Sequence, residues 1–213
     1  MTFTHAIGYG CGKIIRLIVR ALALSRIHPN VLTFLGLVIN MIAAWMLAAG
    51  QFRQAGFVII GAGLFDMVDG RVARETNRVT RFGGFFDSVL DRYSDLALLS
   101  GLLVWYGKIN RPMYVVITAI AMIACVMVSY ARARAENSIP TCKVGFMERP
   151  ERVVLMIIGA LFDRMAPALW VLAILGNLTV VHRMVFTWQE AKRLEDAQLR
   201  PAGSGSARAA ARN

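Results

Sequence analysis

The stretch DMVDGRVARETNRVTRFGGFFDSVLD, residues 66–91, joins two apolar segments, each near the length of a membrane crossing, yet it carries four aspartates. Asp66 and Asp69 stand at i, i+3, and Asp87 and Asp91 at i, i+4, so each pair shares one helical face. An ionised carboxylate near the bilayer centre costs at least about 2.5–3.5 kcal/mol, so these faces must meet a polar cavity or a cation instead of lipid. The basic turn 77–82 lets the two helices run antiparallel and aim all four carboxylates at one point.

The rest of the chain supports a membrane setting. Of its 213 residues 57% are hydrophobic and 17% charged, with a net charge of +11, whereas soluble domains carry about 25% charged residues. Too little polar surface remains for a nucleic-acid groove reader, so no nucleic-acid partner is expected despite the positive balance. Six segments approach spanning length: 31–49, 56–72, 83–106, 112–130, a short one at 151–162, and 167–186. Nineteen Lys and Arg fall in the connections on one side of this arrangement and four on the other, which places both termini in the cytoplasm. Lys13, Arg16 and Arg20 share one face opposite Ile14, Ile15 and Ile18, as on a surface helix lying in the headgroup region. The same arginines interrupt the first apolar run and argue against a signal peptide. The expected fold is therefore an all-α integral membrane protein with six transmembrane helices plus an N-terminal amphipathic surface helix. Residues 1–30 form the juxtamembrane segment, 31–190 the six-helix catalytic domain, and 191–213 a disordered cytoplasmic tail. Cys11, Cys125 and Cys142 are too widely spaced for a disulfide framework or a zinc site.

Four clustered carboxylates repel one another unless a cation sits between them. Oxygen-only ligands suit Mg²⁺ or Mn²⁺, and the absence of Cys and His from 66–91 disfavours zinc. Four carboxylates suffice for two ions, and a two-metal site flanked by Arg74 and Thr80 suits displacement at phosphorus in a diphosphate. Gly70, Ala73 and Gly83 are small enough to let a bulky headgroup approach the helix backbones.

The pattern Asp66-x2-Asp69-Gly70-x2-Ala73-Arg74-x8-Gly83-x3-Asp87-x3-Asp91 resembles the complete signature of the CDP-alcohol phosphatidyltransferases, with every spacing intact. Eight fixed residue types, each at roughly 5–9% abundance, would coincide about once in 10⁹ start positions. The resemblance implies that Asp66, Asp69 and Asp87 hold one Mg²⁺, that Asp66, Asp87 and Asp91 hold a second, and that Asp91 doubles as general base. It assigns Asp69, Gly70, Ala73, Arg74, Thr80 and Gly83, with Asn30, to the CDP-lipid. The implied reaction is attack of an alcohol hydroxyl on the β-phosphorus of CDP-diacylglycerol with release of CMP, at the cytoplasmic face of the cell membrane. A homodimer among membrane lipids is implied as well.

A second cluster bears on the acceptor alcohol. Arg132, Arg134, Arg149, Arg152 and Arg183 stand at helix ends on the basic side, and guanidinium groups grip phosphate through forked hydrogen bonds. If they converge beside the aspartates, the acceptor is itself phosphorylated. The segments 129–136 and 145–152 resemble the prokaryotic phosphatidylinositol phosphate synthases, which implies inositol 1-phosphate; glycerol 3-phosphate is the close competitor. Such arginines are otherwise topology determinants, with Glu148 and Glu151 expected to pair with Arg149, Arg152 or Arg134. Asp95, one turn beyond Asp91, lies outside the signature. Two other classes stay open on the residues: an intramembrane prenyltransferase, with aspartate pairs around Mg²⁺ and a diphosphate, and an ion-binding transporter.

Overall fold

The structure is a computed structural model that describes residues 29–75 and 79–199. The amphipathic segment around Lys13, Arg16 and Arg20 and the tail from residue 200 onward lie outside the described residues. Within them the chain forms six α-helices: α1 Pro29–Ala48, α2 Phe52–Glu75, α3 Arg81–Lys108, α4 Pro112–Ala135, α5 Arg149–Leu161 and α6 Met165–Leu199. Three are long and apolar enough to cross a membrane, over Pro29–Ala48, Pro112–Ala135 and Met165–Ala197. Helices α2 and α3, 24 and 28 residues long, have the length but not the apolar composition, because both carry the aspartates and arginines read above. Helix α5 has 13 residues, about 20 Å at 1.5 Å per residue.

Local chemistry sets the boundaries. Pro112 opens α4, where the missing N–H costs nothing. Thr80 caps α3 by accepting the Gly83 N–H at 2.9 Å. The turns after α3 and α5 pass through Asn110 and Asp163 with positive φ, which short polar side chains tolerate.

Helices α1, α2 and α3 pack as one group and α4 packs on α6, with α3 against α4 and α5 against α2 and α6 joining the two groups. The core is built from Leu47, Leu98, Leu99, Leu102, Leu169 and Leu172 interleaved with Ala43, Ala121 and Ala160. Small residues let backbones approach where lipid offers no hydrophobic driving force between helices. Gly101 shows the limit: an added Cβ would lie 2.2 Å from the Ala44 carbonyl oxygen. Thr118, Asn177 and Thr179 donate to carbonyls one turn back, so these polar side chains are satisfied within their own helices. Outward, Trp45, Phe57, Val116, Ile123 and Val181 are exposed, an apolar surface that suits a hydrocarbon environment and would be anomalous in water.

Helix α6 runs through Leu199, so 191–199, expected to belong to the disordered tail, is helical. Ala191 and Leu194 on this extension pack with Phe186 against Ala135, Ile139 and Cys142 of the α4–α5 region. A polar composition concealed this apolar stripe, which is covered only once the α4–α5 connection folds over it.

Candidate functional site

Helices α2 and α3 both pack on α1, and this brings Asp66, in the second half of α2, close to Asp87 and Asp91 in the first half of α3. Asp66, Asp87 and Asp91 each offer an oxygen within 4.8 Å of the others. Three half-buried carboxylates at that separation make a hard-oxygen set that fits a divalent cation such as Mg²⁺ or Mn²⁺. Asp69, Gly70, Ala73 and Arg74 lie on the last turns of α2, and their side chains are outside the described residues. The structure places Asn30 beside the start of α3: a Cβ added to Gly83 would sit 3.0 Å from Thr80 Oγ1 and 3.4 Å from Asn30 Oδ1. Asn30, Thr80 and Gly83 thus form one small-residue corner.

Above the carboxylates lies a cavity of about 440 Å³, walled by Ser88, Asp91, Asp95, Ser129, Arg132, Glu148, Arg149, Arg152 and Arg183 among others. Four of the five arginines singled out in the sequence converge here. Arg134 is exposed and borders a separate groove with Tyr130, Met184 and Trp188.

Arg149, at the first residue of α5, binds across the aspartate cluster. Its Nη1 donates to Asp66 Oδ2 at 2.5 Å and its Nη2 lies 2.9 Å from Asp91 Oδ1. A guanidinium therefore rests on two of the three carboxylates that would ligate metal, neutralising part of their mutual repulsion. Arg152, 3% exposed, donates from Nη2 to Asp95 Oδ2 at 2.7 Å and from Nη1 to the Met147 carbonyl at 3.0 Å. The Nε–H groups of Arg149 and Arg152 are buried and have no hydrogen-bond partner among the described residues.

Glu148 pairs with arginines other than those expected. Its Oε1 accepts from Arg132 Nη1 at 3.1 Å and from Arg183 Nη2 at 3.2 Å, because these two side chains reach the same cavity wall from α4 and α6. Glu151 is exposed. Arg183, 2% exposed, also donates from Nε to the Val144 carbonyl at 2.8 Å and from Nη1 to the Val128 carbonyl at 2.5 Å. It thereby ties α4, the α4–α5 connection and α6 together beneath the cavity. Gly145 makes that connection possible: its φ is 119°, and an added Cβ would lie 2.4 Å from Thr179 Cγ2.

Asp95 is the residue that motif reading passes over. It continues the one-turn ladder of Asp87 and Asp91, is 6% exposed, and faces both Arg152 and Arg149. The i, i+4 spacing was the available signal. On the far side of Asp66, Asp95 and Arg149, a second cavity of about 410 Å³ is mostly apolar, lined by Ile59, Ala62, Gly63, Leu98, Val153 and Ile157 with neighbouring residues.

Comparison with known proteins agrees with this geometry. A family model described as CDP-alcohol phosphatidyltransferase matches residues 26–190. Archaetidylinositol phosphate synthase of Pyrococcus horikoshii is 35% identical over 177 residues, covering 83% of this chain and 90% of that protein. Phosphatidylinositol phosphate synthase of Mycobacterium tuberculosis is 37% identical over 183 residues, covering 80% and 84%. A crystal structure of the M. tuberculosis enzyme with CDP-DAG bound superposes with a TM-score of 0.77 at 33% identity, over 83% of this chain and 94% of that one. Another, in complex with manganese and citrate, gives a TM-score of 0.75 at 33% identity, over 82% and 88%.

Proposed function

The chain belongs to the CDP-alcohol phosphatidyltransferase family, and on that premise we propose that it transfers a phosphatidyl group from CDP-diacylglycerol to inositol 1-phosphate, giving phosphatidylinositol phosphate and CMP. Family membership sets aside the prenyltransferase and transporter readings. One observation carries the choice of a phosphorylated acceptor: the carboxylate cluster opens directly onto a cavity walled by Arg132, Arg149, Arg152 and Arg183. Two of these arginines keep a buried N–H without a hydrogen-bond partner among the described residues, and a buried donor left unsatisfied is costly, so an anion is the natural occupant. The names of the relatives in two domains of life support inositol phosphate over glycerol 3-phosphate.

Asp66, Asp69, Asp87 and Asp91 would hold two Mg²⁺ ions, with Mn²⁺ as a substitute, a reading supported by the carboxylate trio and by the manganese complex of the M. tuberculosis enzyme. When bound, such ions neutralise the diphosphate and stabilise the oxygens entering and leaving phosphorus. The chain's own groups do the rest. Asn30, Gly70, Ala73, Arg74, Thr80 and Gly83 cradle the CDP moiety, the small residues letting it lie against the backbone. The apolar cavity beside Asp66 takes acyl chain, so the lipid tail stays in hydrocarbon while the diphosphate reaches the carboxylates. The cavity arginines hold the acceptor phosphate and so orient its hydroxyl. Asp91, on the wall shared by the carboxylate cluster and the cavity, takes the hydroxyl proton as the new P–O bond forms and the bond to CMP breaks.

The same proposal places the protein in the cytoplasmic membrane with six spans, both termini and the active site facing the cytoplasm, as a homodimer. Charge asymmetry supports the orientation. Reading α2 and α3 as spans despite their polar residues is supported by Asp66 on α2 and by Asp87, Asp91 and Asp95 on α3, which face the site and not lipid.

The test is an acceptor panel with radiolabelled CDP-diacylglycerol and Mg²⁺, resolving the lipid product by chromatography. Inositol 1-phosphate should give the fastest CMP release, with unphosphorylated inositol and serine near background. Preference for glycerol 3-phosphate would overturn the acceptor, and preference for an unphosphorylated alcohol would overturn the arginine reading.

A further inference from the structure

We infer that Asp95 is a positioning residue for the acceptor site, clamping Arg152 and receiving Arg149 when metal claims Asp66 and Asp91. This rests on reading the arginine-walled cavity as the acceptor site. Asp95 lies one turn past Asp91, at the wall between the polar cavity and the apolar one, and lines both. Its Oδ2 holds Arg152 Nη2 at 2.7 Å, and the Met147 carbonyl holds Arg152 Nη1 at 3.0 Å. With both terminal nitrogens held, the orientation of Arg152 is set, and its buried Nε–H remains without a hydrogen-bond partner among the described residues.

Arg149 is the moving part. Its terminal nitrogens rest on Asp66 and Asp91, and a guanidinium cannot share those oxygens with a divalent cation without strong repulsion. Its Nε–H, buried and without a hydrogen-bond partner among the described residues, lies 3.9 Å from Asp95 Oδ1. A shift of about 1 Å would bring that pair to hydrogen-bond distance. Bonding through Nε leaves both terminal nitrogens for an anion. Asp95 can serve both arginines because its two oxygens face different ones. It therefore acts on acceptor binding through Arg149 and Arg152.

The competing account is a plain structural ion pair joining α3 to α5. Asp95→Asn keeps shape and removes charge. In detergent-purified enzyme it should raise KM for inositol 1-phosphate about tenfold, leave kcat and KM for CDP-diacylglycerol within about threefold, and, because Arg149 loses its receiver, weaken Mn²⁺ binding by less than about tenfold in electron paramagnetic resonance, an effect that an Arg149→Gln background removes. Asp95→Glu should recover part of the acceptor KM. In an Arg152→Gln background, Asp95→Asn should add much less than it does alone. A loss of thermal stability or kcat with acceptor KM unchanged would overturn the inference in favour of the structural pair. A loss of Mn²⁺ affinity that persists in an Arg149→Gln background would make Asp95 a metal ligand and overturn the inference, and full additivity with Arg152→Gln would also refute it. Wild-type turnover is measured first and tests the acceptor separately. If only glycerol 3-phosphate is used, the inositol reading fails, and the KM comparison is made with glycerol 3-phosphate.

Discussion

Replacing Arg149 with glutamine is expected to tighten divalent-metal binding about tenfold while impairing turnover. The guanidinium makes close contacts with Asp66 and Asp91, at 2.5 Å and 2.9 Å, and all three side chains are at most about one-third exposed, at 24%, 33% and 19%. Hydrogen bonds to charged groups are worth about 1.5–3 kcal/mol each, and both must break before metal occupies the same oxygens. Part is recovered when Arg149 turns to Asp95 and the cavity, which leaves a net cost of about 1.4–3 kcal/mol, or roughly 10–100-fold in affinity. Without Arg149 the bare carboxylates recruit counter-ions from solvent, which moves the figure toward the lower end. The assay is a Mn²⁺ titration in detergent, following free Mn²⁺ by electron paramagnetic resonance. Arg132→Gln is the control, because Arg132 bonds Glu136 and Glu148 and not the aspartates; it should change Mn²⁺ affinity less than about threefold. Unchanged or weaker Mn²⁺ binding by Arg149→Gln would falsify direct competition. Equal tightening by both variants would assign the effect to the general field of the arginine cluster.

Asp91→Asn should abolish turnover while CDP-lipid binding, measured by equilibrium dialysis in mixed micelles, persists; retained turnover at saturating lipid would contradict the base assignment. Chelation with EDTA should stop CMP release, and Mg²⁺ or Mn²⁺ should restore it where an equal concentration of Ca²⁺ restores less, since a larger, more flexibly ligated ion suits a compact oxygen set poorly. Gly101→Ala should destabilise the fold by about 1–3 kcal/mol, lowering the thermal midpoint by roughly 3–10 °C, because its Cβ would meet the Ala44 carbonyl at 2.2 Å; an unchanged melting curve would mean that α1 and α3 separate freely. Gly145→Ala should raise the acceptor KM at least severalfold with the CDP-lipid KM spared, since the new Cβ would strike Thr179 and displace the connection carrying Glu148.

The carboxylate cluster was legible in sequence because its information is periodic. Spacings of three and four residues place Asp66 with Asp69, and Asp87 with Asp91, on common helical faces whatever surrounds them. An aspartate in an apolar helix must face a polar partner, so the cost of burying charge in lipid already implied that the two helices meet. Apolar stretches and basic connections likewise determined an all-helical membrane chain. Spacing could not place the arginines. Arg132, Arg149, Arg152 and Arg183 come from three helices, and nothing local distinguishes one that binds an anion from one that marks topology. Arg134 has the same sequence credentials as Arg132, two residues away, yet lies outside the cavity, because that step turns a helical side chain about 200°.

By itself, then, the sequence determined what repeats along one helix: the aspartate faces, the apolar lengths and the charge asymmetry. The tertiary structure alone decided what depends on distances between helices. It set Arg149 on the carboxylates, made Glu148 the shared partner of Arg132 and Arg183, and turned Asp95 from a residue outside the motif into the partner of Arg152. These are pairings across 16 to 83 positions of chain, and only packing brings such positions within hydrogen-bond reach.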